Sequence, residues 1–227
     1  MSRFSLFSPG KGGLLVPVAP LLCLAIAIGH VVAEKDGDPA DFVEITSLDD
    51  TILIELAYAT RDNFCNEVLY DSDRGFLRRE VARKLVAANQ SLAPMGLGLK
   101  VWDGYRPQSV QRRMWELSPS PGYVANPKYG SKHNRGAAVD LTLYSLATGV
   151  ELEMPTEYDA FVPAAGANAL LSDTQVVKHR EALQNAMRAQ GFTTIQSEWW
   201  HFNYSGWRRF PLEDRKLSEL AAEADAD

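Results

Sequence analysis

The chain has 227 residues, enough for one domain or two small ones, and at 46% hydrophobic and 23% charged it carries apolar material for a core that needs no cross-links. Its net charge is −6, and no run of Lys and Arg interrupts that balance. Phosphate binding needs a clustered basic surface, so nucleic acid is excluded as a partner class.

Arg3 and Lys11 are the only formal charges before Glu34. Leu14 to Ala33 is nearly continuous apolar sequence, ending in Val31-Val32-Ala33, after which Glu34-Lys35-Asp36 turns abruptly polar. A positive start, an apolar middle and a small-residue exit read as a secretory signal over 1–33. The alternative is an uncleaved membrane anchor, because the stretch approaches spanning length. Cleavage predicts a periplasmic or secreted protein with no membrane association. It also leaves Cys65 as the one cysteine, so no internal disulfide forms.

Residues 34–217 are expected to form one domain, without internal repeats or a Gly/Ser linker. Thr51 to Tyr58 is rich in β-formers and reads as a strand. Leu77, Val81, Leu85, Ala88 and Leu92 recur at helical spacing, which predicts an amphipathic helix over Arg74 to Leu92. Leu99 to Trp102 reads as a short strand. Pro107 stands where a helix can begin, and Val110, Met114 and Leu117 give that helix its buried stripe. Ala137 to Leu143 alternates as a strand does. Ser172 to Gln175 resembles a capping box opening a helix that Gly191 closes, and Phe192 to Tyr204 is expected as the last strand. The acidic, Ala-rich 218–227 is expected to be a frayed helix or a disordered tail. Helices and strands mix without strict βαβ alternation, which predicts an α+β class.

Three segments carry candidate chemistry. In Ser131-Lys-His133-Asn-Arg-Gly136-Ala-Ala-Val-Asp140, a glycine turn separates an imidazole from a carboxylate at the start of a strand. Such a pair is half of a zinc site or a hydrogen-bonded structural pair. In Glu198-Trp-Trp-His201 a second imidazole follows a carboxylate by three positions. His133, Asp140 and His201 would leave a fourth zinc position open, as catalytic sites do, with Glu198 as an unligated base. A regular strand would send Glu198 and His201 to opposite faces, so sharing a site requires a bulge, a twist or a strand end. The two tryptophans read mainly as core. In Trp102-Asp-Gly-Tyr-Arg106-Pro107 the arginine occupies a turn from which it can reach an oxyanion, or pair with a surface acid at a helix start. His179, at helical spacing between Val176 and Leu183, reads as structural.

Taken together, these motifs resemble the D-Ala-D-Ala dipeptidases of the vancomycin-resistance type. Tyr58-Ala-Thr-Arg-Asp-Asn-Phe64 and Leu141-Thr-Leu-Tyr144 extend the resemblance, which covers roughly 45 to 205 with all motifs in order. It implies a single compact domain with a mostly antiparallel sheet flanked by helices, shared with bacterial D,D-peptidases and the hedgehog signalling domain. It further implies one zinc per chain on His133, Asp140 and His201, with Glu198 as general base and Arg106 stabilising the tetrahedral intermediate. Tyr58 and Asp159 would hold the ammonium of a small dipeptide substrate, and Ser131 and Tyr70 its carboxylate end. A D,D-carboxypeptidase acting on peptidoglycan stems and a non-catalytic zinc-binding module are the alternatives. Glu198 and Arg106 together argue against the second, since a structural site needs neither.

Overall fold

The computed structural model describes residues 37–118 and 123–226. The leader expected over 1–33 lies outside the described residues. In chain order the elements are β1 (Phe42–Glu44), α1 (Ile45–Leu48), β2 (Leu53–Ile54), β3 (Phe76–Arg78), α2 (Arg79–Leu92), β4 (Leu97–Asp103), α3 (Gln108–Leu117), β5 (Ala138–Ser145), α4 (Thr174–Ala189), β6 (Phe192–Thr194), β7 (His201–Tyr204) and α5 (Leu217–Ala224).

A five-stranded sheet in the order β2-β4-β5-β7-β6 organises the domain, while β1 and β3 form a separate antiparallel pair. Only β2–β4 is parallel; the other pairings within the sheet are antiparallel. The class is α+β, as expected. The periodic face of α2 (Val81, Leu85, Ala88, Leu92) and that of α4 (Leu183, Met187) are buried in one core with Leu99 and Val101 of β4 and Val139, Leu141 and Leu143 of β5. Each of the valine, leucine and methionine side chains among them contributes about 1.5–3 kcal/mol when fully buried. Asp173 caps α4, its side chain accepting from the N–H groups of Gln175 and Val176, and Gly191 follows the helix at φ 85°.

Four expectations about elements need correction. The strand expected over Thr51–Tyr58 is only Leu53–Ile54, and Ala57–Ala59 is a 3₁₀ turn. It pairs in parallel with Lys100 and Val101, and the chain then bends so that Leu56 and Tyr58 enter a second apolar cluster. The helix expected from Arg74 starts at Arg79, because Phe76–Arg78 is drawn into pairing with β1. The final strand is two strands, β6 and β7, paired antiparallel and joined by a bent segment over 195–200. The tail expected to be frayed or disordered is a docked helix, α5. Leu217 and Leu220 are buried in the cluster that holds Leu56 and Tyr105, and Arg74 donates to the Ala221 carbonyl and pairs with Asp225. Two apolar side chains three apart suffice to dock one helical face.

Candidate metal centre and active site

Period-two alternation sorts β5 into two faces. Val139, Leu141 and Leu143 enter the core shared with α2 and α4, so Asp140 emerges on the opposite face. In β7, Phe202 and Tyr204 belong to that core, which leaves His201 and Asn203 beside Asp140. The register pairs Asp140 with His201 on one side and, across an irregularity in β4, with Asp103 on the other. His133 arrives from a 3₁₀ turn, His133–Arg135, just before β5. Gly136 ends that turn at φ 63°, where a Cβ would meet the Phe42 ring at 2.5 Å and the Arg78 nitrogen at 3.1 Å. Only glycine fits that close approach and that conformation.

Three donor atoms converge. His201 Nδ1 lies 2.8 Å from Asp140 Oδ1, His133 Nε2 lies 3.4 Å from the same oxygen, and the two nitrogens are 3.2 Å apart. On a tetrahedron with bonds of about 2.0–2.1 Å, neighbouring donors sit roughly 3.3 Å apart. The triangle therefore fits a small tetrahedral cation, and two imidazoles with one carboxylate suit zinc. The remaining atom of each donor group is also held. His133 Nδ1 donates to the Gly104 carbonyl at 2.7 Å, His201 Nε2 donates to Asn203 Oδ1 at 3.0 Å, and Tyr158 donates to Asp140 Oδ2 at 3.0 Å. These contacts fix both tautomers with their lone pairs toward the shared centre. Burial opposes the charge of Asp140, but the flanking imidazoles more than offset it and hold the carboxyl well below the usual range. Burial also opposes the charge of His133; the Asp140 and Asp103 carboxylates outweigh it and raise the imidazole.

Glu198 stands in the bent segment before β7 rather than in a strand, so it avoids the opposite-face conflict. Its Oε2 lies 3.9 Å from His201 Nδ1, outside the donor triangle. Burial pushes its carboxyl up to about 7 against the pull of His201. Trp199 and Trp200 beside it are fully buried core, as expected.

Arg106 is buried and held by its neighbours. Its Nε and Nη2 donate to Asp103 Oδ2, and Nη1 donates to Gln111 Oε1 at 2.8 Å. These bonds use three of the five guanidinium N–H groups, leaving two. The acid that pairs with Arg106 is thus the buried Asp103 rather than one on the surface. Tyr70 sits behind this pair, its hydroxyl donating to Asp103 Oδ1 at 2.5 Å.

A cavity of about 540 Å³ opens onto the centre. His133, Asp140, His201, Glu198 and Arg106 all line it, as do Tyr58, Ser131 and Asp159. Tyr70 is not among its lining residues. Tyr58 donates to Asp159 Oδ2 at 2.8 Å, and Asp159 adopts φ 54°. Burial pushes Asp159 up to about 7, with the Tyr58 hydrogen bond opposing. His179 lies elsewhere, its ring bonded to the Glu153 carbonyl and the Gln175 amide. Sequence reasoning missed Asp103, Gln111, Tyr158 and Asn203. Asn203 was accessible in principle, since a strand residue two positions after His201 shares its face.

The family model described as D-Ala-D-Ala dipeptidase (peptidase M15) matches residues 38–219. The D-alanyl-D-alanine dipeptidase of Escherichia coli (strain K12) is 32% identical over 175 residues, covering 77% of this chain and 90% of that protein. That of Streptomyces coelicolor is 31% identical over 182 residues, covering 71% and 90%. A solved vancomycin-resistance D,D-dipeptidase in complex with a D-Ala-D-Ala phosphinate analogue is 18% identical, with 82% of this chain and 71% of that one covered and a TM-score of 0.39; the assignment does not rest on it. With the family match spanning most of the domain and the donor triangle, the Glu198 carboxylate and the Arg106 guanidinium lining one cavity, the chain belongs to the D-Ala-D-Ala dipeptidase family of metallopeptidases.

Proposed function

We propose that this protein hydrolyses the dipeptide D-Ala-D-Ala to two molecules of D-alanine, using one zinc ion held by His133, Asp140 and His201. The observation that carries the reading is a single cavity shared by that donor triangle, a carboxylate outside it (Glu198) and a second buried carboxylate (Asp159). Zinc, when bound, supplies Lewis acidity that acidifies water and polarises a carbonyl. Glu198 accepts the proton of the attacking water and returns it to the leaving amine, so hydroxyl ends on the acyl carbon and hydrogen on nitrogen. A carboxyl near 7 suits both halves of that exchange. The two uncommitted N–H groups of Arg106 receive the charge that develops on the carbonyl oxygen, and the Asp103 and Gln111 contacts keep the guanidinium in place. Asp159, braced by Tyr58, receives the substrate ammonium, and Ser131 lies on the wall that meets its carboxylate end. Tyr70 acts at one remove, by fixing Asp103.

We further propose that the reaction takes place outside the cytoplasm, on the support of the charge and apolar pattern of 1–33. N-terminal sequencing of the mature protein tests this; a chain that retains Met1 in a membrane fraction favours the anchor. For the reaction, zinc-loaded protein is assayed on D-Ala-D-Ala, L-Ala-L-Ala and a muropeptide pentapeptide. Cleavage of the first alone is expected. Equal cleavage of the pentapeptide would replace the dipeptidase reading with a carboxypeptidase, and cleavage of none would leave a zinc-binding module.

A further inference from the structure

We infer that Lys132 is the counter-ion for the substrate's terminal carboxylate, and so selects dipeptides whose C-terminus is free. This rests on the dipeptide reading above. A free dipeptide is charged at both ends, and burying either charge without a partner is costly. Asp159 answers the ammonium. For the carboxylate, the cavity wall carries two residues of the Lys and Arg type, Arg106 and Lys132. Arg106 is already neutralised by the buried Asp103. Lys132 forms no ion pair with a carboxylate among the described residues, and it adjoins Ser131, whose hydroxyl accepts from the His133 N–H.

At rest the Lys132 ammonium lies over Trp207, a ring that does not line the cavity, so the role requires the side chain to turn inward when ligand binds. Its Nζ lies 5.5 Å from the centre of the Trp207 ring, and the guanidinium carbons of Arg135 and Arg208 crowd the same ring at 5.3 and 4.5 Å. A cation held by an indole alone is weakly bound, and two like charges on that indole weaken the hold further. The flexible four-carbon stem of lysine lets the ammonium exchange that contact for a carboxylate at small cost. Asp159 and Lys132 stand on different segments of the wall, one beside Tyr58 and the other beside Ser131, so with the ammonium turned inward the cavity would offer one sign of charge to each end of the ligand.

The test compares Lys132→Gln and Lys132→Arg with wild type on D-Ala-D-Ala and on its C-terminal amide, with melting temperature and zinc content confirming the fold. Wild type should prefer the acid over the amide. Lys132→Gln should raise KM for the acid roughly tenfold or more, as loss of a charged hydrogen bond does. The loss should fall in KM more than in kcat, the preference over the amide should shrink, and Lys132→Arg should restore much of it. Unaltered KM and unaltered acid preference in Lys132→Gln would overturn this inference alone. Failure of wild type to cleave D-Ala-D-Ala would overturn the dipeptidase reading and this inference with it.

Discussion

Asp140 and His201 face each other as register partners on adjacent antiparallel strands, with Oδ1 of one 2.8 Å from Nδ1 of the other. Direct cross-strand partners have side chains about 4.5–5.5 Å apart at Cβ, which is close enough to share an ion. Two of the three metal donors are thus set by sheet register, and the third is delivered by the Gly136 turn. A one-residue slip of either strand would turn a donor into the core.

Removing a donor should remove the metal. His201→Ala leaves one imidazole and one carboxylate, and metal analysis of the purified variant should find the zinc lost, against about one ion per chain in wild type. A variant that keeps full zinc occupancy would show that His201 is not a ligand.

Glu198→Gln should behave oppositely. Its carboxylate lies outside the donor triangle, so zinc content should stay at the wild-type level while turnover drops by roughly 10²–10⁴, the usual worth of acid–base help. Loss of zinc in this variant with retention in Asp140→Ala would exchange the two roles.

Tyr158→Phe deletes the hydrogen bond to Asp140 Oδ2 and the longer one to the Tyr58 hydroxyl, and changes little in shape. Partners of this kind are worth about 10–100-fold in metal affinity or activity. Competition with a chelator should show zinc leaving this variant at a lower chelator concentration than it leaves wild type.

Asp159 gives the binding step a pH dependence. Burial raises its carboxyl to about 7, and a bound dication nearby lowers that value again. Protonation on the acid side removes the charge that meets the ammonium, so dipeptide affinity should weaken as pH falls through the range at and below 7. Calorimetric titration in a Glu198→Gln background isolates this limb from that of the base. Adding Asp159→Asn should flatten it.

The C-terminal helix should matter for stability. Leu220 is buried in the cluster with Leu56 and Tyr105, so Leu220→Ala should cost about 2–5 kcal/mol in chemical denaturation. An effect below about 0.5 kcal/mol, the range of surface substitutions, would mean that α5 frays in solution.

The α+β class was legible because β5 and α2 bury clean faces, with periods of two and about 3.6 that need no tertiary information. The convergence of His133, Asp140 and His201 was legible because a glycine turn between His133 and Asp140, and a carboxylate near His201, are unusual local contexts. The break at 195–200 was legible only as a condition, since Glu198 and His201 could share a site only through a bulge, a twist or a strand end, and its place was not. Ile195, Trp199 and Trp200 have strong β character, and only the hairpin geometry shows that they bend. Asp103 looked like a turn residue, and its pairing with Arg106 depends on burial that composition does not reveal. Tyr158 lies in the long irregular connection between β5 and α4, where no periodicity tells which side chain turns inward. That α5 docks was not legible, because an acidic, alanine-rich end reads as a frayed helix or a solvated tail until a partner surface is known.

The most direct test of the account is the ratio of kcat/KM for D-Ala-D-Ala to that for N-acetyl-D-Ala-D-Ala, measured on zinc-loaded wild type and on Asp159→Ala. A buried carboxylate that pairs with a free ammonium is left without a partner when the amine is acylated. Wild type should therefore cleave the free dipeptide and reject the acetylated one, and Asp159→Ala should lose activity on the first and narrow the ratio. Equal cleavage of both substrates by wild type would contradict the account.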